Sequence, residues 1–256
     1  MSGIEQHHED WEQLAELDPM WAILSSPERR FGGWDEAEFL ATGEREVAQL
    51  LSRIDELGGL NGTAAALDFG CGVGRVSRAF AARFEHVVGV DIAETMLARG
   101  REINADVANL EFVHNTAPDL RVLGDRRFDL VYSSIVLQHQ PSHAIARGYV
   151  EEMVRLLAPG GWLVFQIPLD IPRRYRLRVT RRAYTALRAL GVSPGTLYER
   201  LKLHPISMLF VPEDQLRGWL GAVDVAAVDQ LQSGPILSGT VYARSEERRV
   251  GKECRL

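Results

Sequence analysis

In the stretch LDFGCGVGR an aspartate, Asp68, precedes three glycines spaced two apart, Gly70, Gly72 and Gly74. Glycines at that spacing let the chain turn sharply and let a ligand approach the main chain, and a helix that starts there offers free N–H groups. Many nucleotide-binding folds use such a turn. In the dinucleotide pattern GxGxxG the third glycine allows tight helix–strand packing, but Arg75 stands at that place here. A carboxylate at Asp68 would repel a pyrophosphate and suits a ligand that brings an ammonium group. Asp91 closes the next apolar run, where it could accept hydrogen bonds from both hydroxyls of a ribose. Dinucleotide enzymes share an acid of that kind, so Asp91 does not discriminate.

Two further features could carry chemistry. His139, in VLQHQP, follows the fourth strand-like run, and a histidine with an ordinary pKa near ~6.5 could take a proton there; it could equally cap the next helix or bond a carbonyl. Between Ile171 and Tyr198 stand seven arginines and no acid, in a chain of net charge −6, which leaves −13 on the remainder. That segment reads as a solvated helix face with Tyr175, Leu177, Tyr184, Leu187 and Leu190 buried beneath it, or as a recognition surface for a carboxylate, a phosphate or an anionic lipid head. The two cysteines, Cys71 and Cys254, form neither a disulfide framework nor a metal motif, so no metal is expected.

The elements that must position these residues are legible as alternation. AALDF, HVVGV, LEFVH, FDLVYSS and GWLVFQI are apolar throughout, as strands buried on both faces are. Residues 74–84, 93–103 and 142–158 between them carry helical spacing, the last opened by Pro141 and Ser142 and closed by Pro159. Such alternation predicts a parallel, doubly wound α/β sheet. After Pro168 comes an arginine-rich helical insert, 169–211; a helix over 212–220 and two strands able to pair antiparallel follow. The expected organisation is a helical cap over 1–60, the sheet domain over 61–245 and a non-native-looking tail over 246–256.

With 46% apolar residues the 256-residue chain can fill a sizeable core. No run reaches the ~18 apolar residues of a membrane span, and the start of the chain is polar and acidic. The reading is a cytoplasmic protein without integral membrane association, and the acidic balance argues against nucleic acid as a partner.

Taken in order, LDFGCGVGR, VVGVDIAETML, FDLVYSSIVLQHQP and RLLAPGGWLVFQIP resemble the class I S-adenosylmethionine-dependent methyltransferases, from about Trp34 to Ser245. The resemblance implies a seven-stranded sheet of order 3-2-1-4-5-7-6 with strand 7 antiparallel. It implies S-adenosyl-L-methionine as cofactor and a small-molecule acceptor, anionic if the arginines recognise it. Carried over, Asp68, Gly70, Gly72 and Gly74 would hold the methionine end, Asp91 the ribose, and Ile92 and Met96 the adenine. Asn115 or Thr116 would face the adenine amino group, where the family often has another acid or amide. Ser133, Ser134 and Ile135 would border the sulfonium, with His139 as candidate base. Trp34, Thr42 and Gly43 precede the first strand, where members of the family fold a lid, or belong to the core. A non-catalytic S-adenosylmethionine-binding module and an NAD(P)-dependent dehydrogenase are the alternatives.

Overall fold

Seven strands form one sheet in the computed structural model: β1 Ala65–Phe69, β2 His86–Asp91, β3 Leu110–His114, β4 Phe128–Ser133, β5 Leu157–Asp170, β6 Asp224–Ser233 and β7 Ile236–Arg244. Their order is β3-β2-β1-β4-β5-β7-β6. The first five run parallel, and β7 is antiparallel to both its neighbours. The structure describes residues 3–246 apart from 178 and 222, and leaves the side chain at 174 undescribed; from 247 onward the tail lies outside the described residues.

The apolar runs become strands because both faces are covered. On one face Leu67, Phe69 and Val131 pack under α6 (His143–Arg155), whose Ala146, Tyr149, Val150 and Met153 form the expected stripe, and α10 (Glu213–Trp219). On the other, Ala66, Val87 and Leu130 meet Val47, Leu50 and Ile54 of α3 (Glu36–Glu56) and Val76 and Phe80 of α4 (Arg75–Ala81). Alternate burial of this kind removes apolar surface at about 25 cal/mol per Å². α5 (Glu94–Ile103) joins β2 to β3.

One expected boundary moves. The helix before β5 ends at Arg155, and Pro159, Gly160 and Gly161 lie inside the strand. The β4–β5 register jumps from Phe128↔Leu157 to Leu130↔Trp162 around them. A proline without an N–H and a glycine at φ 74 suit such a bulge, because the ladder is already interrupted there.

The N-terminal helices divide by partner. α3 lies on the sheet, while α1 (Gly3–Leu17) and α2 (Pro19–Ile23) sit over the carboxyl edges of β1 and β2, packing Leu14, Ala15 and Ala22 against Val73 and Met96. The insert after β5 folds as α7 (Arg173–Arg176), α8 (Val179–Ala189) and α9 (Pro194–Glu199). It fastens onto α1 and α2 through Arg181–Asp10 at 2.8 Å, Tyr184 Oη to Gln13 at 2.9 Å and Tyr198 Oη to buried Asp18 at 2.8 Å.

Candidate functional site

The carboxyl ends of β1, β2 and β4 open into a cleft of about 910 Å³, its mouth included. Strand β1 delivers Asp68 to the wall, buried, its Oδ2 accepting from Ser77 Oγ at 2.6 Å. Burial outweighs that hydrogen bond and pushes the carboxyl up from 3.8 to about 7. The turn then carries Gly70, Gly72 and Gly74 at φ 77, 54 and 82. A Cβ on Gly72 would lie 2.5 Å from Ile23 Cδ1, so the left-handed conformation and the close roof both require glycine.

Asp91, at the end of β2, is half-buried and holds the turn in place. Its Oδ2 accepts from Gly72 N–H at 2.8 Å and its Oδ1 from Ala93 N–H at 2.9 Å. Each oxygen keeps a lone pair for a further donor. Burial raises this carboxyl's pKa against those backbone bonds. Ile92 and Met96 follow on the same wall. Asn115 is there too, but its amide is engaged in its own loop, Nδ2 donating to Asp119 O at 2.7 Å. Thr116 is exposed and outside the wall.

At the end of β4 the expected trio divides. Ser134 and Ile135 line the cleft; Ser133 is buried behind it, donating to Phe69 O at 3.0 Å. Ile135 has φ 62, a strained value for a β-branched residue, of order 1–3 kcal/mol, held at the cleft's corner. Gly74 caps α4 outside the wall.

His139 also stands outside this wall. Its Nδ1 donates to the Ser207 carbonyl at 2.8 Å, its Nε2 faces the Gln138 amide at 3.1 Å, and its ring lies 5.6 Å from that of Trp11. Burial lowers its pKa to about 4, so the ring is neutral at pH 7. The histidine that lines the cleft is His7, from α1, with burial lowering its pKa to about 3.

The sequence reading expected a helical cap over 1–60 but placed none of the side chains that roof the cleft, nor did it foresee the brace behind it. His7 and Trp11 of α1 and Ala22 and Ile23 of α2 close the cleft. The available signal was the spacing of His7, Trp11 and Leu14 on one helical stripe. Glu12 of α1 accepts from the N–H groups of Glu94 at 2.6 Å and Thr95 at 3.1 Å, capping α5, whose own N-cap residue is Ala93. Behind the turn Arg75 is buried, paired with Glu46 at 2.7 Å and bonded to Thr42; Tyr132 Oη donates to Glu46 at 2.7 Å. A Cβ on Gly43 would sit 2.3 Å from the Arg75 carbonyl, so α3 and α4 touch backbone to backbone there. Trp34, which bonds Leu24 O and packs edge-on to Phe39, stands in this brace with Thr42 and Gly43, off the cleft wall.

Residues 66–161 match the family of methyltransferase domains. The chain is 32% identical over 167 residues to a demethylmenaquinone methyltransferase of Clavibacter sepedonicus, covering 64% of this chain and 66% of that protein. It is 36% identical over 126 residues to a trans-aconitate 2-methyltransferase of Methylobacterium radiotolerans, covering 48% and 44%. The match thus spans less than two thirds of either relative. In fold it resembles the N-methyltransferase NodS of Bradyrhizobium japonicum WM9 in complex with S-adenosyl-L-homocysteine, with TM-score 0.59 and 18% identity over 94% of this chain and 99% of that one. It likewise resembles magnesium protoporphyrin IX methyltransferase of Synechocystis PCC 6803 with the same ligand, with TM-score 0.57 and 21% identity over 93% and 97%.

Proposed function

From a chain that carries a methyltransferase domain and the class I S-adenosylmethionine-dependent methyltransferase fold, we propose an enzyme that methylates a nitrogen, oxygen or carbon nucleophile on a small molecule. The observation that carries this reading is Asp68. Burial holds this cleft carboxyl at about 7 even though Arg75 stands near, because Arg75 is paired with Glu46, and an ammonium would supply the counter-charge that Asp68 still wants. A pyrophosphate would make that burial worse.

S-adenosyl-L-methionine, when bound, supplies a methyl group made electrophilic by its sulfonium. Asp68 takes the ammonium of the methionine end, beside the backbone of Gly70 and Gly72. Asp91 accepts from the ribose hydroxyls with the lone pairs that Gly72 and Ala93 leave open. Ile92 and Met96 enclose the adenine, and Asn115, nearer than Thr116, meets its edge. Ser134 and Ile135 border the reacting end, and His7 and Trp11 exclude water above it.

The chain's contribution to rate in this reading is orientation, with no protein base required. His139 has both ring nitrogens engaged, and we read it as a positioning residue that ties the roof to the segment at Ser207. We read α1, α2 and the 169–211 insert as the acceptor-binding roof, with the boundary to the methyltransferase domain near Asp35, because α3 packs on the sheet. Of the described arginines in the insert, none lines the cleft, so they lend no support to an anionic acceptor.

Calorimetry tests the reading: S-adenosylhomocysteine should bind and NAD should not, and methyl transfer to any acceptor separates an enzyme from a binding module. Preference for NAD would overturn the assignment.

A further inference from the structure

Five of the eight large apolar side chains that stand exposed among the described residues, Tyr175, Leu177, Val179, Leu190 and Leu201, fall in the insert. Val179 opens α8, and Leu190 directly follows its last residue, Ala189, in line with the same stripe, its N–H donating to the Ala186 carbonyl. Positions 179, 182, 186 and 190 recur every three or four residues, and all four, Val179, Arg182, Ala186 and Leu190, face solvent, while Tyr184 points inward. Val179 is 60% exposed, Leu190 79%, and Leu177, just before the helix, 55%. An apolar stripe of this spacing normally faces a core.

Charge narrows the choice of what covers it. Arg176 is paired with Asp170, Arg181 with Asp10, and Arg188 bonds the Val192 carbonyl. Arg173 and Arg182 are exposed and have no acid partner among the described residues. A merely solvated helix would mix signs and keep large apolar groups inward, whereas from Ile171 to Tyr198 every charge is positive. Arginines interleaved with exposed Leu and Val on α8 and at its two ends match an interface that is anionic at its surface and apolar beneath.

We propose that the outward stripe of α8, with Leu177 before it, docks on an anionic lipid bilayer. The helix lies in the plane of the headgroups, Leu177, Val179 and Leu190 enter the acyl boundary, and Arg173 and Arg182 meet lipid phosphates. Because α8 is bolted to α1 through Tyr184 and Arg181, docking brings the roof of the cleft to the membrane surface. This surface stands whether or not the methyl-transfer reading does. No helix of the described residues is long and apolar enough to cross a membrane, so the association is peripheral.

The test is co-sedimentation of the full chain with vesicles of phosphatidylcholine, alone or mixed with phosphatidylglycerol. The wild type should sediment with the mixed vesicles only, and less as salt is raised. The Arg173→Gln/Arg182→Gln variant should bind about 25-fold more weakly, roughly fivefold for each basic residue lost at the surface. Leu177→Ser/Val179→Ser/Leu190→Ser should weaken binding at least about tenfold, as expected for three lost apolar insertions, and leave the salt dependence as it was. Unchanged melting temperatures should accompany both, since every substituted side chain is exposed. Absence of sedimentation, indifference to phosphatidylglycerol, or binding by both variants as tight as that of the wild type would overturn the proposal. So would a concentration-dependent oligomer, seen by light scattering, that the triple serine variant dissolves without any vesicle binding by the wild type; the stripe would then meet a second copy.

Discussion

The floor of the cleft and its roof are built in different ways. The floor joins backbone to a few acids close in sequence: Asp91 holds Gly72 and Ala93, nineteen and two residues away. The roof is side chain on side chain across the chain: Tyr198 to Asp18, Tyr184 to Gln13, Arg181 to Asp10. A floor made of main chain tolerates few substitutions and fixes one ligand. A roof made of side chains can be rebuilt while the floor stays, which is how one sheet serves many acceptors.

The contrast breaks most sharply at Gly72. Gly72→Val places a β-branched residue at φ 54 against Ile23, and cofactor binding should fall below detection by calorimetry in a variant that keeps its far-UV circular dichroism. Asp91→Ala comes next. Two hydrogen bonds to a charged acceptor, each about 1.5–3 kcal/mol, predict at least tenfold weaker S-adenosylhomocysteine binding, and the freed Gly72 and Ala93 N–H groups should also lower the melting temperature. Unaltered affinity would remove Asp91 from the floor.

Asp68 sharpens the comparison through pH. In the empty cleft the folded chain keeps, between about pH 4 and 7, a proton that the unfolded chain has lost. This carboxyl's contribution to stability is therefore full below about 4 and is lost as pH rises through about 7. An ammonium ligand needs the ionised form, so affinity should climb about tenfold per pH unit up to 7 and then level. Calorimetry from pH 5.5 to 8 on wild type and Asp68→Asn checks this; a slope that survives in the Asn variant assigns it elsewhere.

The roof gives the smallest effect on the cofactor. Asp18→Ala strands the Tyr198 hydroxyl and the Gly32 N–H, a cost of about 1–3 kcal/mol, so the melting temperature should drop several degrees while S-adenosylhomocysteine affinity holds. A fall in cofactor affinity as large as that of Asp91→Ala would erase the distinction between floor and roof.

The same division explains what the sequence disclosed. The parallel strands and the wall residues Asp68, Gly72 and Asp91 were legible because local period and glycine spacing act over a few residues, whereas the sheet order and Met96 came through the resemblance of the ordered motifs to the methyltransferases. The wall histidine was not: His7 reaches the cleft through the packing of α1 on α5, whereas His139, better placed in sequence, is drawn toward Ser207. Nor did Pro159 and the two glycines after it end the helix; the ladder with β4 continues past them once the strand bulges. Long-range side-chain pairs leave no local period, so the sequence offered a helical cap and an insert but not the contacts that join them into a roof.

Glu12 gives the roof a clock. Because a residue of α1 supplies the cap that α5 lacks, each lifting of α1 sets the amides of Glu94 and Thr95 free to trade their protons with water. The exchange rate at those two positions, three and four residues past Asp91, thus counts how often α1 lifts from α5.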